Sequence, residues 1–262
     1  MNNFSKSHLP EAQLGIGYAF LAFLSWGILP IYWKLLDNVP SFEILAHRTL
    51  WSAVFLLVLL AVKKRLGEFR ELLESRKQIW ILLGTASLLG VNWFVYIYGV
   101  NTNRVVETSL GYFINPLLNV LMGILFLKER LNFWCGLAVA LASLGVLNYL
   151  WNFGSLPWIA LSLAFTFSLY GLLRKVIPVK PLVGLLIETS LLATLASILI
   201  VVWKVEGSGN FGGEWRIAIL LIGAGIVTSL PLLWFTNAAK RLRYSTVGFI
   251  QYLTPSIQLI IG

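Results

Sequence analysis

The sequence predicts an all-α protein that crosses a membrane many times. Three observations predict this class: the composition, the length of the apolar segments and an internal repeat. Hydrophobic residues fill 58% of the 262 positions, charged residues fill 12%, and the mean hydropathy is +0.81. A soluble domain carries about 25% charged residues, and disordered chains are poor in apolar residues. The composition excludes both classes, and a single cysteine, Cys135, excludes a disulfide-stapled scaffold.

Nine apolar segments are long enough to be membrane spans, because a helix needs about 20 mostly apolar residues to cross the hydrocarbon. A turn at 152–157 divides the longest uncharged stretch into two spans. In chain order the predicted spans are residues 14–33, 44–62, 78–102, 108–127, two within 131–173, then 182–203, 217–239 and 244–262. The last is expected to be a truncated helix, because the sequence stops inside an apolar run.

The loops on one predicted side of the membrane hold 15 of the 20 lysine and arginine residues. Because cytoplasmic loops carry an excess of these residues, the sequence predicts a cytoplasmic N-terminus. The same bias accounts for the formal net charge of +9, so no nucleic-acid partner is predicted. The lipid bilayer is the partner that the composition predicts.

Two segments 137 positions apart repeat one pattern. Residues 104–112 and 241–249 both begin a span with Arg, then Ser or Thr, then Gly, and a proline follows each, at Pro116 and Pro255. Because each unit has five spans, the two units enter the membrane in opposite directions, as in the inverted repeat of many secondary transporters. Chance recurrence of these residue types at helix starts is the alternative explanation.

The repeat predicts two units of about equal design. Residues 1–151 form a first five-helix repeat, and residues 152–262 form a second repeat that is incomplete at its C-terminal end. The predicted fold is a polytopic membrane protein, an inverted repeat of two five-helix bundles. It is of the ten-helix type and is truncated here in the ninth helix.

Five blocks of the sequence resemble one family. They are residues 43–48 (EILAHR), 109–116 (SLGYFINP), 153–157 (FGSLP), 187–189 (IET) and 241–248 (RLRYSTVG). In this order they resemble the RarD family of EamA-type transporters, in the drug/metabolite transporter superfamily. The resemblance implies a bacterial inner-membrane carrier with a cavity walled by spans one, three, four, six, eight and nine. It does not supply the substrate.

Polar residues recur on one face of the fourth span. Those spaced i, i+4, i+7 and i+11 are Thr108, Tyr112, Asn115 and Asn119. In the same stretch Pro116 lacks an N–H and so frees the carbonyl of Tyr112. Because unpaired polar groups are unfavourable in hydrocarbon, these groups should face a cavity or one another. The alternative is that Asn115 and Asn119 only hydrogen-bond a neighbouring helix.

The ninth span repeats this theme, since Pro255 frees the carbonyl of Gln251. Two proline-interrupted helices that are related by a repeat can form a substrate site at the midplane. Polar and aromatic residues share faces in the third and sixth spans as well. We therefore expect a substrate cavity lined by Asn92, Trp93, Tyr96, Tyr112, Asn115, Pro116, Asn119, Tyr170, Gln251, Tyr252 and Pro255.

Four ionisable residues are candidates for proton coupling or gating. Glu188 lies well inside a predicted span, so it should be paired or protonated, and it is a candidate for proton coupling. Pairing with a loop Lys or Arg near the interface is the alternative. At the start of the second span, Glu43 and His47 can share a proton and Arg48 can hold an anionic substrate. A charge cluster that only fixes the depth of the helix is the alternative there.

Enzyme signatures are absent from the sequence. It has no H-E-x-x-H or P-loop pattern and only two histidines, His8 and His47. No enzyme, metal site, cofactor or ATP-driven pump is predicted. The prediction is a secondary transporter of small organic metabolites or drug-like molecules by alternating access, with proton coupling as a further hypothesis. The alternative is a non-transporting membrane scaffold or assembly protein, or an inactive truncated fragment; small residues in the fifth span fit a homodimer in either case.

Overall fold

The computed structural model describes residues 10–153 and 156–261. Within these ranges the regular secondary structure is entirely α-helical, with no strand. The helices are α1 (Glu11–Lys34), α2 (Ser41–Val62), α3 (Leu66–Glu74), α4 (Arg76–Asn101), α5 (Val105–Leu127), α6 (Phe133–Phe153), α7 (Trp158–Val176), α8 (Pro181–Glu206), α9 (Trp215–Arg241), α10 (Tyr244–Gln251) and α11 (Leu253–Ile261).

Among the described helices, seven are long and apolar enough to cross a membrane: α1, α2, α4, α5, α7, α8 and α9. Helix α6, which is apolar over Phe133–Tyr149, corresponds to the fifth predicted span. The turn predicted at 152–157 begins later than expected because α6 runs on to Phe153. Gly154 and Ser155 of that turn lie outside the described residues. The predicted all-helical, polytopic membrane fold is confirmed.

The ninth predicted span consists of two short helices. Helix α10 ends at Gln251 and α11 begins at Leu253, so the span is divided at Tyr252. Pro255 explains the break, because proline has no N–H for the carbonyl of Gln251 and fits the first turn of a new helix. Pro116 lies inside α5, which continues through it. The expected pair of broken helices is therefore one broken and one continuous helix.

A short helix, α3, occupies the basic stretch between α2 and α4, where the sequence indicated only a charged loop. Its buried residue is Leu72. Glu68 on α3 accepts hydrogen bonds from Arg65 Nη2 at 2.7 Å and from Lys180 Nζ at 2.7 Å. The hydrogen bonds from Arg65 and Lys180 lower the pKa of Glu68 to about 2. Helix α3 thereby ties the α2–α4 connection to the α7–α8 connection.

The contacts between helices follow the same scheme in both halves. Helix α1 packs on α9 as α7 packs on α4, and α5 packs on α7 as α10 and α11 pack on α1. Helix α2 also contacts α8, and α5 contacts α10, and each of these two pairs maps onto itself when the halves are exchanged. Exchanging α1, α2, α4 and α5 with α7, α8, α9 and α10–α11 leaves this set of contacts unchanged. The arrangement has the two-fold relation of an inverted repeat, while the boundary between residues 151 and 152 stays a prediction.

A matched pair of cation–π contacts follows the same relation. The guanidinium of Arg104 lies 5.5 Å from the ring centroid of Trp158. Arg241, which is the partner of Arg104 in the 137-residue repeat, lies 5.4 Å from the ring centroid of Tyr18. Each contact joins the start of the fourth or ninth span to the first helix of the other half. The repeat seen in the sequence therefore extends to side-chain packing.

The bundle has two chemically different ends. The basic end is where α1 begins, α2 and α5 end, and α7 meets α8; it includes the ion pair of Arg241 with Glu11 at 2.8 Å. The opposite end is where α1 ends, α2 begins and α8 meets α9. Between the ends, large apolar side chains are exposed on the outside and contact lipid, among them Phe20, Leu57, Phe94, Leu125 and Leu199.

Candidate substrate cavity

A cavity of about 150 Å³ lies between the two halves, in the part of the bundle nearer the opposite end. The six spans that the resemblance implies for its wall all contribute side chains, as α1, α4, α5, α7, α9 and α10–α11. Helix α2 adds Arg48 to the wall. An engineered cavity of roughly 150 Å³ in another protein binds benzene, so this space suits a small organic molecule.

Seven of the eleven predicted cavity residues surround this space: Asn92, Trp93, Tyr96, Tyr112, Asn115, Gln251 and Pro255. Their roles in binding stay predictions. Trp33, Phe167 and Thr228 also line the cavity, although the sequence did not single them out. Aromatic residues and threonine are common on every face of a membrane helix, so periodicity alone gave no signal for these three.

Four predicted cavity residues lie elsewhere. Asn119 is buried between α5 and α10, where its Nδ2 donates to Oε1 of Gln251 at 2.6 Å. Pro116 and Tyr252 border an apolar groove against α6, and Tyr170 lies deeper toward the basic end. The stripe along the fourth span covers about three helical turns, but the cavity reaches only the part of α5 nearer the opposite end. The cavity therefore borders only part of the polar stripe that the sequence shows on this helix.

Amide side chains connect the break in the ninth span to α5 and α7. Nδ2 of Asn115 donates to the carbonyl oxygen of Ala164 at 2.8 Å and to Oγ of Ser168 at 2.9 Å. Gln251 in turn donates through Nε2 to Oδ1 of Asn115 and accepts from Asn119. Asn119 thus hydrogen-bonds a neighbouring helix and does not line the cavity, which is the alternative considered for both asparagines. Asn115 does both, since it bonds α7 and lines the cavity.

Arg48 brings a positive charge to the cavity wall. Its guanidinium carbon lies 4.5 Å from the ring centroid of Trp93 and 5.8 Å from that of Trp33. Its Nε is buried without a hydrogen-bond partner in the described part of the chain. Among the described residues that line the cavity, none is acidic. The cavity therefore carries one positive charge with no carboxylate beside it.

Glu43 and His47 belong to a different surface from Arg48. Glu43 accepts hydrogen bonds from the backbone N–H of Asn210 at 2.6 Å and from its Nδ2 at 2.7 Å. The ring of His47 stacks on Phe211 at 4.7 Å. Adjacent residues on a helix point about 100° apart, so Arg48 faces the cavity while His47 faces the α8–α9 connection. The gate cluster expected at the start of the second span is thus divided in two.

Aromatic rings close the cavity on the side of the basic end. Trp26 and Phe167 line the cavity, and their ring centroids are 5.6 Å apart. Phe235 lies behind them, 5.7 Å from Trp26 and 5.1 Å from Phe167. Phe23 and Tyr170 extend this layer, at 6.2 Å and 6.5 Å from Phe235. We call these five residues the aromatic floor.

Glu188 lies beyond the aromatic floor and is completely buried. Thr85 donates to its Oε1 at 2.5 Å, and the hydroxyl of Tyr170 donates to its Oε2 at 3.2 Å. The Nε of Arg174, also completely buried, is 3.5 Å from Oε1. Arg174 lies in the last turn of α7 and Glu188 lies two turns into α8, so the short connection between the two helices brings them together. The short separation of Arg174 and Glu188 along the chain is the signal that could have identified Arg174 as the partner of Glu188.

A polytopic bundle with a two-fold relation between its halves and a cavity between them is the architecture of a membrane transporter. Residues 13–151 match the model of the EamA-like transporter family. The chain belongs to this family.

Its similarity to individual relatives is more specific. "Protein RarD" of Salmonella typhi is 45% identical and that of Escherichia coli (strain K12) is 44% identical, each match covering 96% of this chain and 86% of the relative. The "Uncharacterized transporter YojE" of Bacillus subtilis (strain 168) is 44% identical over 96% of this chain and 85% of its own length. The predicted resemblance to RarD is confirmed, and the protein is a multi-pass membrane transporter.

A crystal structure with 18% sequence identity superposes with a TM-score of 0.71, covering 95% of this chain and 88% of the other. At this identity the similarity shows a shared fold. The fold of the described helices therefore occurs in a protein of distant sequence.

Proposed function

We propose that this protein is a secondary transporter that moves a small organic molecule across the bacterial inner membrane by alternating access. One observation carries the proposal: two halves with matching helix contacts enclose a cavity at one end of the bundle, whereas the other end is closed. In an inverted repeat the halves can exchange their arrangements, which moves the access path from one end to the other. The seven lining residues named above are the proposed substrate site.

The closed end has two layers that must separate for the substrate to pass. The first is the aromatic floor, and the second is the buried group of Thr85, Tyr170, Arg174 and Glu188. Separation of Arg174 from Glu188 leaves the carboxylate unpaired in the membrane, where its neutral form is favoured. We therefore propose Glu188 as the site where proton binding accompanies opening of the basic end.

Transport is tested with the purified chain in proteoliposomes, using a panel of labelled metabolites and drug-like molecules with and without an imposed proton gradient. Trp93→Ala should lower flux strongly, because it removes a cavity wall. Trp80→Ala on the outer face of the same helix, where Trp80 is 71% exposed, should leave flux unchanged. Absence of flux across the panel, or equal loss in both variants, would favour a scaffold role.

Proton coupling needs a variant that does not leave a buried charge alone. Glu188→Gln combined with Arg174→Met removes both charges, so flux should no longer respond to the proton gradient while the protein stays in the membrane. Flux measured from pH 5 to pH 8 checks this. An unchanged pH dependence would remove Glu188 from the coupling mechanism.

We also propose that the N-terminus and the basic end face the cytoplasm, as the distribution of Lys and Arg favours. Cys135 near the start of α6 is a native reporter for the basic end. In intact cells it should not react with a membrane-impermeant maleimide, and it should react after permeabilisation. Glu214→Cys in a Cys135→Ser background should react in intact cells. Labelling of Cys135 from outside would reverse the proposed orientation.

A further inference from the structure

We propose that the cavity binds a small organic carboxylate that carries a flat apolar group, with Arg48 as the residue that binds the carboxylate. This inference rests on the proposed transport function in one respect only, namely that the bound ligand is the molecule transported. Binding itself follows from the chemistry of the cavity and can be measured without transport.

Arg48 carries a positive charge that has no acidic partner among the described residues. Arg174, which is completely buried, has Glu188 at 3.5 Å. Arg104 pairs with Glu107 at 2.5 Å. In the described part of the chain no ion pair joins Arg48 to a carboxylate. Because an isolated cation at membrane depth is unfavourable, an anion from outside the chain is the partner that this position lacks.

The two buried acidic side chains of the same end among the described residues, Glu43 and Glu107, already have partners. Glu43 holds the α8–α9 connection through Asn210. Glu107 accepts a hydrogen bond from the backbone N–H of Ile159 at 2.8 Å and pairs with Arg104. Neither carboxylate lines the cavity. Pairing of Arg48 with either of these two carboxylates would therefore break contacts that fix another helix connection.

The shape of the cavity selects the remainder of the ligand. Trp33 and Trp93 flank the guanidinium, and the rings of Tyr96 and Tyr112 pack with centroids 6.3 Å apart. Flat apolar groups pack favourably on such rings, and a guanidinium binds a carboxylate through two parallel hydrogen bonds. A volume of about 150 Å³ accommodates a single ring, as noted above.

A second polar group in the wall also has no partner. The hydroxyl of Thr228 on α9 lines the cavity and is buried without a hydrogen bond in the described residues. It can serve a ligand that spans the space between α2 and α9. Since no acidic side chain of the described residues lines the cavity, an ammonium group would find no carboxylate partner there. The wall therefore favours a monocarboxylate over a zwitterionic amino acid.

The test is calorimetric titration of the purified full chain with benzoate, benzamide, acetate and phenylalanine. Benzoate and benzamide have nearly the same shape, so their difference isolates the negative charge. Benzoate should bind at least about tenfold more tightly than benzamide, the effect of charge-assisted hydrogen bonds. It should also bind more tightly than acetate and phenylalanine. Equal binding of benzoate and benzamide would overturn the anion site, and equal binding of benzoate and acetate would overturn the flat apolar group.

Variants assign the effect to Arg48. Arg48→Gln should abolish the preference for benzoate over benzamide, and Arg48→Lys should keep part of it. Arg216→Gln is the matched control, because Arg216 is an exposed arginine of the same end that does not line the cavity. A preference that survives Arg48→Gln or disappears in Arg216→Gln would contradict the assignment. If Arg48→Gln fails to fold, the comparison of benzoate with benzamide on the unaltered chain still decides.

The two proposals fail in different ways. Benzoate binding through Arg48 without flux of any organic anion would refute transport and leave the anion site intact. Flux of neutral compounds together with equal binding of benzoate and benzamide would refute the anion site and leave transport intact.

Discussion

Arg48 and Glu188 lie about two turns into α2 and α8, at matching positions of the two halves, yet they have opposite surroundings. Arg48 and Glu188 are 140 positions apart, and each precedes a threonine. The hydroxyls of Thr49 and Thr189 donate to the leucine carbonyl one turn earlier, at 2.7 Å and 2.9 Å. Arg48 borders the cavity without a carboxylate, whereas Glu188 is completely buried with Arg174 beside it. The same structural position therefore lines the cavity in one half and forms a buried ion pair in the other.

The sequences of α2 and α8 also differ in a way that accounts for these different surroundings. Gly184 lies one turn before Glu188, and a side chain there would collide with the guanidinium of Arg174. The residue at the matching position of α2 is Ile44, 140 positions earlier. Helix α8 thus leaves room for an arginine that neutralises its own carboxylate. The basic end holds a charge pair inside the protein, and the opposite end has a cation with no carboxylate partner among the described residues.

The largest effect should come from breaking the closed pair. Glu188→Gln leaves Arg174 as an unpaired buried charge, which should lower the free energy of unfolding by about 3–5 kcal/mol. Denaturation of the detergent-solubilised chain, followed by tryptophan fluorescence, measures this loss. Addition of Arg174→Met should restore most of the stability, because no charge is then left alone. A single variant as stable as the unaltered chain would show that the pair does not hold this end closed.

The fit of Arg174 against Gly184 should have the next largest effect. Arg174 cannot move away from an added methyl group without losing Glu188 and the carbonyl of Pro181, which its Nη2 contacts at 3.1 Å. Gly184→Ala should therefore cost about 1–3 kcal/mol, as overpacking does. Gly84→Ala in α4 is the control, since nothing lies near its added carbon and alanine favours a helix by about 1 kcal/mol. A stabilising Gly184→Ala would contradict the close fit.

Replacement of Arg48, the cation nearer the opposite end, should change stability less. Arg48→Met removes a charge that has no carboxylate partner and two cation–π contacts of about 0.5–2 kcal/mol each. Removal of an unpaired charge from a membrane site is favourable, so the two terms oppose each other. The same denaturation experiment should give a change within about 1 kcal/mol, since the net effect of replacing buried charges by apolar groups is often neutral. A loss as large as that of Glu188→Gln would show that the protein itself holds Arg48.

Apolar length and the internal repeat were sufficient to predict the membrane fold, because hydrocarbon thickness fixes the length of a span. It was harder to predict from the sequence which of the two proline-containing spans would divide. Pro116 and Pro255 look alike in sequence, but α5 continues through Pro116 while the ninth span divides before Pro255. Local chemistry is the same at both prolines, so packing decides which helix breaks.

The lining of the cavity was predictable from the sequence where one face of a helix borders it. Tyr112 and Asn115 line the cavity as expected, whereas Asn119 on the same face lies beyond its end. Periodicity gives the direction of a side chain around a helix and says nothing about how far a cavity extends along it. The separation of Arg48 from His47 likewise depends on which neighbours each face meets.

The smallest effect should arise at the outermost contact of the basic end, where Glu68 joins Arg65 and Lys180. The pKa of Glu68 is lowered from about 4.5 to about 2 by its hydrogen bonds to Arg65 and Lys180. A carboxylate with a lowered pKa stabilises the fold above its unfolded pKa, and this contribution is lost as the pH falls from about 4.5 toward 2. Because the carboxylate is partly exposed to solvent, we expect less than about 1 kcal/mol.

Comparison of the unfolding midpoint at pH 6 and pH 3 measures this contribution. Glu68→Gln should reduce the drop between the two pH values slightly, and Glu74→Gln, on the exposed end of the same helix, should not. A large drop abolished by Glu68→Gln would mean that the surface tether through α3, more than the buried pair of Arg174 and Glu188, distinguishes the closed end from the open one.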